Sequence, residues 1–428
     1  MLYRYSENEI IFGKKHLKKI SDKSGDNVLV ITKNMSQNIS NSIIESSLLS
    51  WKDNLIVFDY KDKLLKKSEE HRKKHGKIIN LQASEVSFNP FNLIESYPIY
   101  GLNININFCT PILEDMYNAT AKVFYIETLY KEYTLNLLKV AIFYLIYKEK
   151  EINMKNLSDF FFLEEETSTK NLNEYLEYEE ESCYGRTILD NRLYKMSKEI
   201  SNEEIKAKIW TFLDLYSYKI RDSILIAIHY ILKVFNTENE NLEIEKLFDY
   251  SNEYSLYISL TDKEDNISKG KLIFLIDQLL KNKDCFRINT LMVLPNFHIF
   301  EKLDELRNII EYEKDKLNNL KLILVSDIHN LMKFENSLDY FLDNFNKVLF
   351  YKLDKKNEII YSNNYKKVKI KDINLTKTKL SETNIFYIIK IIAVLILIFI
   401  SATTFFNNKK ESIKNNEELI EILNLEEK

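Results

Sequence analysis

Asn27-Val-Leu-Val-Ile-Thr-Lys-Asn-Met-Ser-Gln-Asn-Ile-Ser40 decides how the rest of the chain is read. The apolar run Val28-Leu29-Val30-Ile31 has the length and composition of a buried strand, and residues 40–49 carry apolar positions at helical spacing, so the pattern predicts strand, loop, helix. A phosphate-binding loop occupies this setting in nucleotide-binding proteins. Its chemistry needs glycines so that backbone N–H groups can wrap the phosphates, a lysine to reach the β and γ phosphates, and a Ser or Thr for Mg²⁺. The corresponding positions here are Ser36, Gln37, Asn38 and Ile39. The setting is present and the phosphate ligands are not.

Further segments keep a shared order. Residues 47–61 contain Leu48-Leu49-Ser50-Trp51 followed by Ile56-Val57-Phe58-Asp59-Tyr60-Lys61. Glu70-His71-Arg72 and Ser87-Phe88-Asn89-Pro90-Phe91-Asn92 come next. Then follow a strand-like run at 255–260, a helix-like run at 272–280, and Leu294-Pro295-Asn296-Phe297. Residues 322–331 and 341–346 complete the series. Together these stretches resemble the type IV secretion coupling proteins, the conjugative DNA-transfer ATPases, whose corresponding motifs read LLSW, VVxDPKG, FNPFD, LDEFPxLGKL, LLIVQxLNQL and ILDNCD. The resemblance spans residues 28–363. It implies an α/β, RecA-like fold of the P-loop NTPase type with an all-α insertion domain, the part of the family credited with substrate recognition.

The departures fall on the family's chemistry. The resemblance asks for an Asp-Glu pair where this chain has Pro295-Asn296, and neither side chain can ionise to hold Mg²⁺ or polarise the attacking water. The glutamine position of the next strand is Ser326. With three catalytic elements replaced and the surrounding strands kept, the sequence predicts a pseudo-ATPase with no cofactor, acting as a structural or adaptor component of a conjugation or secretion apparatus beside an active paralogous ATPase. A second reading keeps ATP- and Mg-dependent translocation of DNA or protein, with Lys33 or Lys61 standing in for the missing lysine. A third is a DNA-binding module without hydrolysis.

Composition frames these readings. The chain has 428 residues, 45% of them hydrophobic and 29% charged, which suits a globular protein large enough for two domains. A net charge of -4 gives no overall attraction to nucleic acid. Cys109, Cys183 and Cys285 are odd in number and lack metal-ligand spacing, which fits a reducing compartment.

Residues 385–406 form an apolar stretch whose only charge is Lys390, and 22 residues at about 1.5 Å each reach across a bilayer core. The sequence predicts a C-terminal transmembrane helix there, single-pass. Residues 364–381 carry Lys366, Lys367, Lys369, Lys371, Lys377 and Lys379 against one acid, Asp372, whereas six glutamates dilute the lysines after the apolar stretch. That bias points to a bacterial cytoplasmic membrane location with the large N-terminal domain in the cytoplasm. The expected organisation is a core in two halves, residues 1–92 and 238–363, interrupted by an all-α insertion at 93–237. A basic juxtamembrane linker at 364–384, the membrane helix at 385–406 and a polar acidic tail at 407–428 follow.

Two other features attract a functional reading. His71 and His75 are four apart on an expected helix, but Arg72, Lys73 and Lys74 between them would repel a cation, so no metal is expected. The basic cluster at 66–77 is interrupted by Glu69 and Glu70 and reads as a solvated face.

Overall fold

The computed structural model describes residues 10–15, 18–22, 27–32, 40–94, 99–100, 103–162, 188–215, 217–236, 240–248, 253–261, 264–295, 304–312, 319–327, 330–331, 340–341, 344–345, 347–352, 358–363 and 366–371. The strands in chain order are β1 (Ile10–Lys15), β2 (Lys18–Asp22), β3 (Val28–Thr32), β4 (Asn54–Tyr60), β5 (Lys77–Gln82), β6 (Ile99–Tyr100) and β7 (Asn103–Ile104). After the helical middle of the chain come β8 (Tyr254–Leu260), β9 (Thr290–Pro295), β10 (Leu320–Asp327), β11 (Lys347–Lys352), β12 (Glu358–Asn363) and β13 (Lys366–Lys371). The helices are α1 (Ser40–Ser50), α2 (Lys63–Arg72), α3 (Thr110–Phe124), α4 (Lys131–Tyr147), α5 (Met154–Phe162), α6 (Ile188–Glu199), α7 (Glu203–Leu213), α8 (Tyr218–Phe235), α9 (Asn266–Lys281) and α10 (Asp304–Tyr312).

Eleven strands form one sheet in the order β2-β1-β13-β12-β11-β3-β10-β9-β4-β8-β5. From β11 to β5 every neighbouring pair is parallel, and from β11 outward through β12, β13, β1 and β2 every pair is antiparallel. Parallel strands need crossover helices and are covered on both faces, so their sequences are apolar throughout instead of alternating. That is why all five residues of β3 and all six of β9 are buried.

Successive residues of each strand feed opposite faces. Val28 and Val30 join Ile323 and Val325 in a core covered by α1 and α2, while Leu29 and Ile31 join Met292 and Leu294 in the larger core on the other side. Helix α1 is poor in strong helix formers, with five serines in eleven residues. It is held by packing: Ile44, Leu48 and Trp51 recur at the spacing of one helical face and are all buried. Burying each contributes about 2–3 kcal/mol. The strand and helix predicted from residues 27–49 are thus β3 and α1.

Helix α9 is buried nearly all round, as expected of a helix with apolar residues on every side. It lies against the larger face of the sheet and packs on α3 and α8. Its start is fixed by Asp265, whose carboxylate accepts from the Ser268 N–H at 2.8 Å. Between β5 and β8 the described elements are α3 to α8, four short 3₁₀ turns and the two-stranded β6–β7 pair. These helices share one continuous apolar cluster with the sheet.

The turn at 87–92 joins the two regions. Asn89 accepts from the Phe91 N–H at 3.2 Å and donates to the Ile152 carbonyl at 3.2 Å, and the Ser87 carbonyl accepts from the N–H groups of both Asn241 and Leu242. Phe88 stacks on Phe274 with ring centroids 5.7 Å apart, and Phe235 meets Phe274 edge-on at 5.0 Å. This short polar segment therefore ties the start of α5, the returning chain and α9 to the end of β5.

One sequence expectation changes here. Residues 366–371, read from their lysines as the start of a basic linker, form β13 and pair with β12 and β1. Val368 and Ile370 alternate with lysines in the period of a strand, and on that pattern the segment continues the sheet. All described residues belong to a unit spanning Met1–Ile373. No helix among them is long and apolar enough to cross a membrane, and residues 385–406 lie outside them.

Candidate functional site

The carboxyl ends of β3, β10 and β9 lie side by side. Thr32 is opposite Asp327, Ile31 opposite Ser326, and Val325 opposite Pro295. From β3 the chain crosses by way of α1 to β4, passing over β10 and β9, whereas from β10 it goes to β11 on the other side of β3. Adjacent strands whose connections leave in opposite directions open a crevice at their carboxyl ends, which is where ligands bind in open α/β sheets. In this chain the crevice lies between β3 and β10.

Of the sequence positions singled out for phosphate chemistry, two described ones lie at these strand ends. Pro295 ends β9 and Ser326 is the penultimate residue of β10, both buried. Ser36, Gln37, Asn38, Ile39, Lys33 and Asn296 lie outside the described residues. At the floor of the crevice the Thr32 hydroxyl donates to the Ser326 carbonyl at 3.5 Å, and the Ser326 hydroxyl donates to the Asp327 carbonyl at 3.3 Å.

Two carboxylates lie at this edge of the sheet, and both are engaged. Asp327 accepts from the Asn330 N–H and from its side-chain amide, each at 2.8 Å. Asp59, at the end of β4, accepts from the N–H groups of Leu64 and Leu65 at 2.8–3.0 Å and so caps the first turn of α2. Burial raises the Asp59 pKa, and these backbone donors only partly offset it. The intervening turn is strained: Lys61 and Asp62 have φ of 61° and 54°, the latter where the resembling motif carries glycine. The Lys61 N–H donates to the Leu260 carbonyl at 3.0 Å and its amine lies 5.1 Å from the Tyr60 ring centre.

Arg72 is the principal polar group that sequence reasoning missed. It is fully buried at the end of α2, where Nε donates to Ser255 Oγ at 2.9 Å and Nη2 to the Asp53 carbonyl at 2.6 Å. Nη1 donates to the Trp51 carbonyl. Burial pulls its pKa down to about 10, so it remains charged at neutral pH. It clamps the loop after α1 against β8. The neighbouring histidines do not share a helix face: α2 ends at Arg72 and His75 lies in the following turn. Their rings are tilted, 4.9 Å apart, and burial lowers both pKa values. No group of three His, Cys, Asp or Glu with metal-binding geometry occurs among the described residues.

These features define an α/β protein with a parallel sheet and a candidate ligand crevice at a topological switch point. Residues 36–218 match the family described as "Type IV secretory system Conjugative DNA transfer". No curated protein sequence matches the chain. Among solved structures, it is similar to the plasmid coupling protein TrwB in complex with ADP and Mg²⁺, at 13% identity over 81% of this chain and 77% of that one, with a TM-score of 0.43. It is also similar to the unbound monoclinic form of the bacterial conjugative coupling protein TrwBΔN70, at 12% identity over 82% and 79%, with a TM-score of 0.46.

Proposed function

We propose that this chain is a membrane-anchored, RecA-like relative of the coupling proteins that keeps the strand frame without the nucleotide chemistry. It serves as a structural or adaptor component of a conjugative DNA-transfer or secretion apparatus in the bacterial cytoplasmic membrane. The observation that carries this reading is the set of side chains at the strand ends: Pro295 and Ser326 offer no ionisable group, and the carboxylates of Asp59 and Asp327 are engaged by backbone and amide donors. Phosphoryl transfer depends on acids free to hold Mg²⁺ and to orient the attacking water. Apolar residues 385–406 support the membrane anchor, and an active paralogue is the natural partner for a subunit of this kind.

The ATPase reading has the family in its favour, since coupling proteins are ATPases. Of its two stand-in lysines, Lys33 and Lys61, the second is poorly sited. Lys61 follows β4, which is three strand steps from β3, or about 14 Å, farther than a lysine side chain reaches. Calorimetric titration of the detergent-solubilised full chain with Mg-ATP, alongside a phosphate-release assay, separates the two readings. The expected result is no saturable heat in the micromolar range and no phosphate above a protein-free control. Micromolar binding, or turnover abolished by Lys33→Ala or Lys61→Ala, would instead establish an active enzyme.

A further inference from the structure

Lysines collect on one face of the antiparallel end of the sheet. Leu349 of β11 lies in the core covered by α1, and the register carries that face through Tyr361 of β12 to Val368 of β13. Successive strand residues alternate between faces, so Lys367, Lys369 and Lys371 fall on the opposite one. Lys371 is paired with Lys14 of β1, and Lys14 with Lys19 of β2, which places both on that same face. The patch covers about 10 Å across β13, β1 and β2 and about 13 Å along β13.

Like charges at directly opposed positions destabilise a sheet, and here the pairs Lys14–Lys371 and Lys14–Lys19 are consecutive. Glu358, opposite Lys371 on β12, is the acid that the register of these strands places on the patch. It balances one of the lysines, and an external anionic surface would relieve the repulsion among the others.

Two features select a bilayer over a nucleic acid as that surface. The apolar stretch 385–406 follows soon after Lys371, and the residues between them can span at most about 50 Å. A sheet face also spreads its charge in two directions, as a layer of headgroups does, whereas a basic groove follows a phosphate backbone along one.

We propose that the face carrying Lys14, Lys19, Lys367, Lys369 and Lys371 rests on anionic phospholipid headgroups. The proposal takes the membrane anchor from the reading above and is independent of whether the chain hydrolyses ATP.

Acetylation of lysines by acetic anhydride, read by mass spectrometry, tests it on the full chain in vesicles of phosphatidylcholine alone or with about 30% phosphatidylglycerol. With the anionic lipid, modification of these lysines should fall about threefold or more and recover in high salt. Lys15 and Lys366, on the other face of the same strands, and the exposed Lys66 of α2 should change little. Combining Lys14→Gln with Lys369→Gln should abolish most of the protection at Lys19, Lys367 and Lys371. Equal modification in the two vesicles, equal protection of Lys15 and Lys366, or stronger protection by a single-stranded oligonucleotide than by phosphatidylglycerol would each overturn the proposal. Carbonate extraction reads the anchor separately: a chain that washes off the vesicles yet shows protection dependent on phosphatidylglycerol refutes the anchor and supports the lysine face.

Discussion

Gly76→Ala is expected to destabilise the protein by about 3 kcal/mol or more, against a change near zero for Gly270→Ala. Gly76 follows the end of α2 with φ of +132°, a conformation that strains any residue bearing a Cβ. The added methyl would also overlap the Glu253 carbonyl, 2.6 Å from its carbon, and that carbonyl is fixed by the Lys77 N–H at 2.9 Å. Neither partner can withdraw, because both are backbone at the start of the β5–β8 pairing, whose first registered pair is Lys77 and Tyr254. At Gly270 the new methyl would meet side chains and no backbone, Val234 Cγ1 at 3.0 Å with Val234 Cγ2 and Val123 Cγ2 at 3.4 Å, and alanine gains about 1 kcal/mol of helix propensity over glycine, which offsets that crowding. Urea unfolding of the two variants in parallel is the measurement. Equal midpoints would mean that the turn at Gly76 relaxes freely, contrary to this account.

Arg72→Met should cost about 3 kcal/mol or more, since it leaves the carbonyls of Trp51 and Asp53 and the hydroxyl of Ser255 buried without their donor. Arg72→Lys should recover less than half of the loss. A single ammonium cannot address groups on the loop and on β8 at once, whereas the planar guanidinium does. The same unfolding experiment reads both variants, and full rescue by lysine would show that charge alone, and not the fork geometry, holds the loop.

The elements that sequence made legible are those whose information is local. Val28 to Ile31 announced β3 by an uninterrupted apolar run, and Ile44, Leu48 and Trp51 announced the buried face of α1. Of the site, the strand ends carrying Pro295 and Ser326 are aligned by the β3–β10–β9 register, whereas Ser36, Gln37, Asn38, Ile39 and Asn296 lie outside the described residues. What remained hidden depended on distant partners. The Arg72 guanidinium finds Ser255, 183 positions away, and Asn54 accepts from the Tyr254 N–H across 200 positions, so no window of sequence carries either contact. Asp59 resembled a motif acid, and only the fold shows it capping α2. The lysines at 366–371 masked a strand because their charge outweighed the alternation of Val368 and Ile370.

The placement of β3 also governs how the chain is made. Both of its neighbours come from the far end of the sequence, and the contact of Thr32 with Ser326 links residues 294 positions apart. At about 5–20 residues per second, a ribosome needs about 15–60 s after finishing β3 before β10 is even synthesised. Throughout that interval a strand that is apolar from Val28 to Ile31 has both edges without their native partners, and α1 can cover only one of its faces. The parallel part of the sheet is therefore completed last around β3, which makes shielding of the nascent chain a requirement of synthesis.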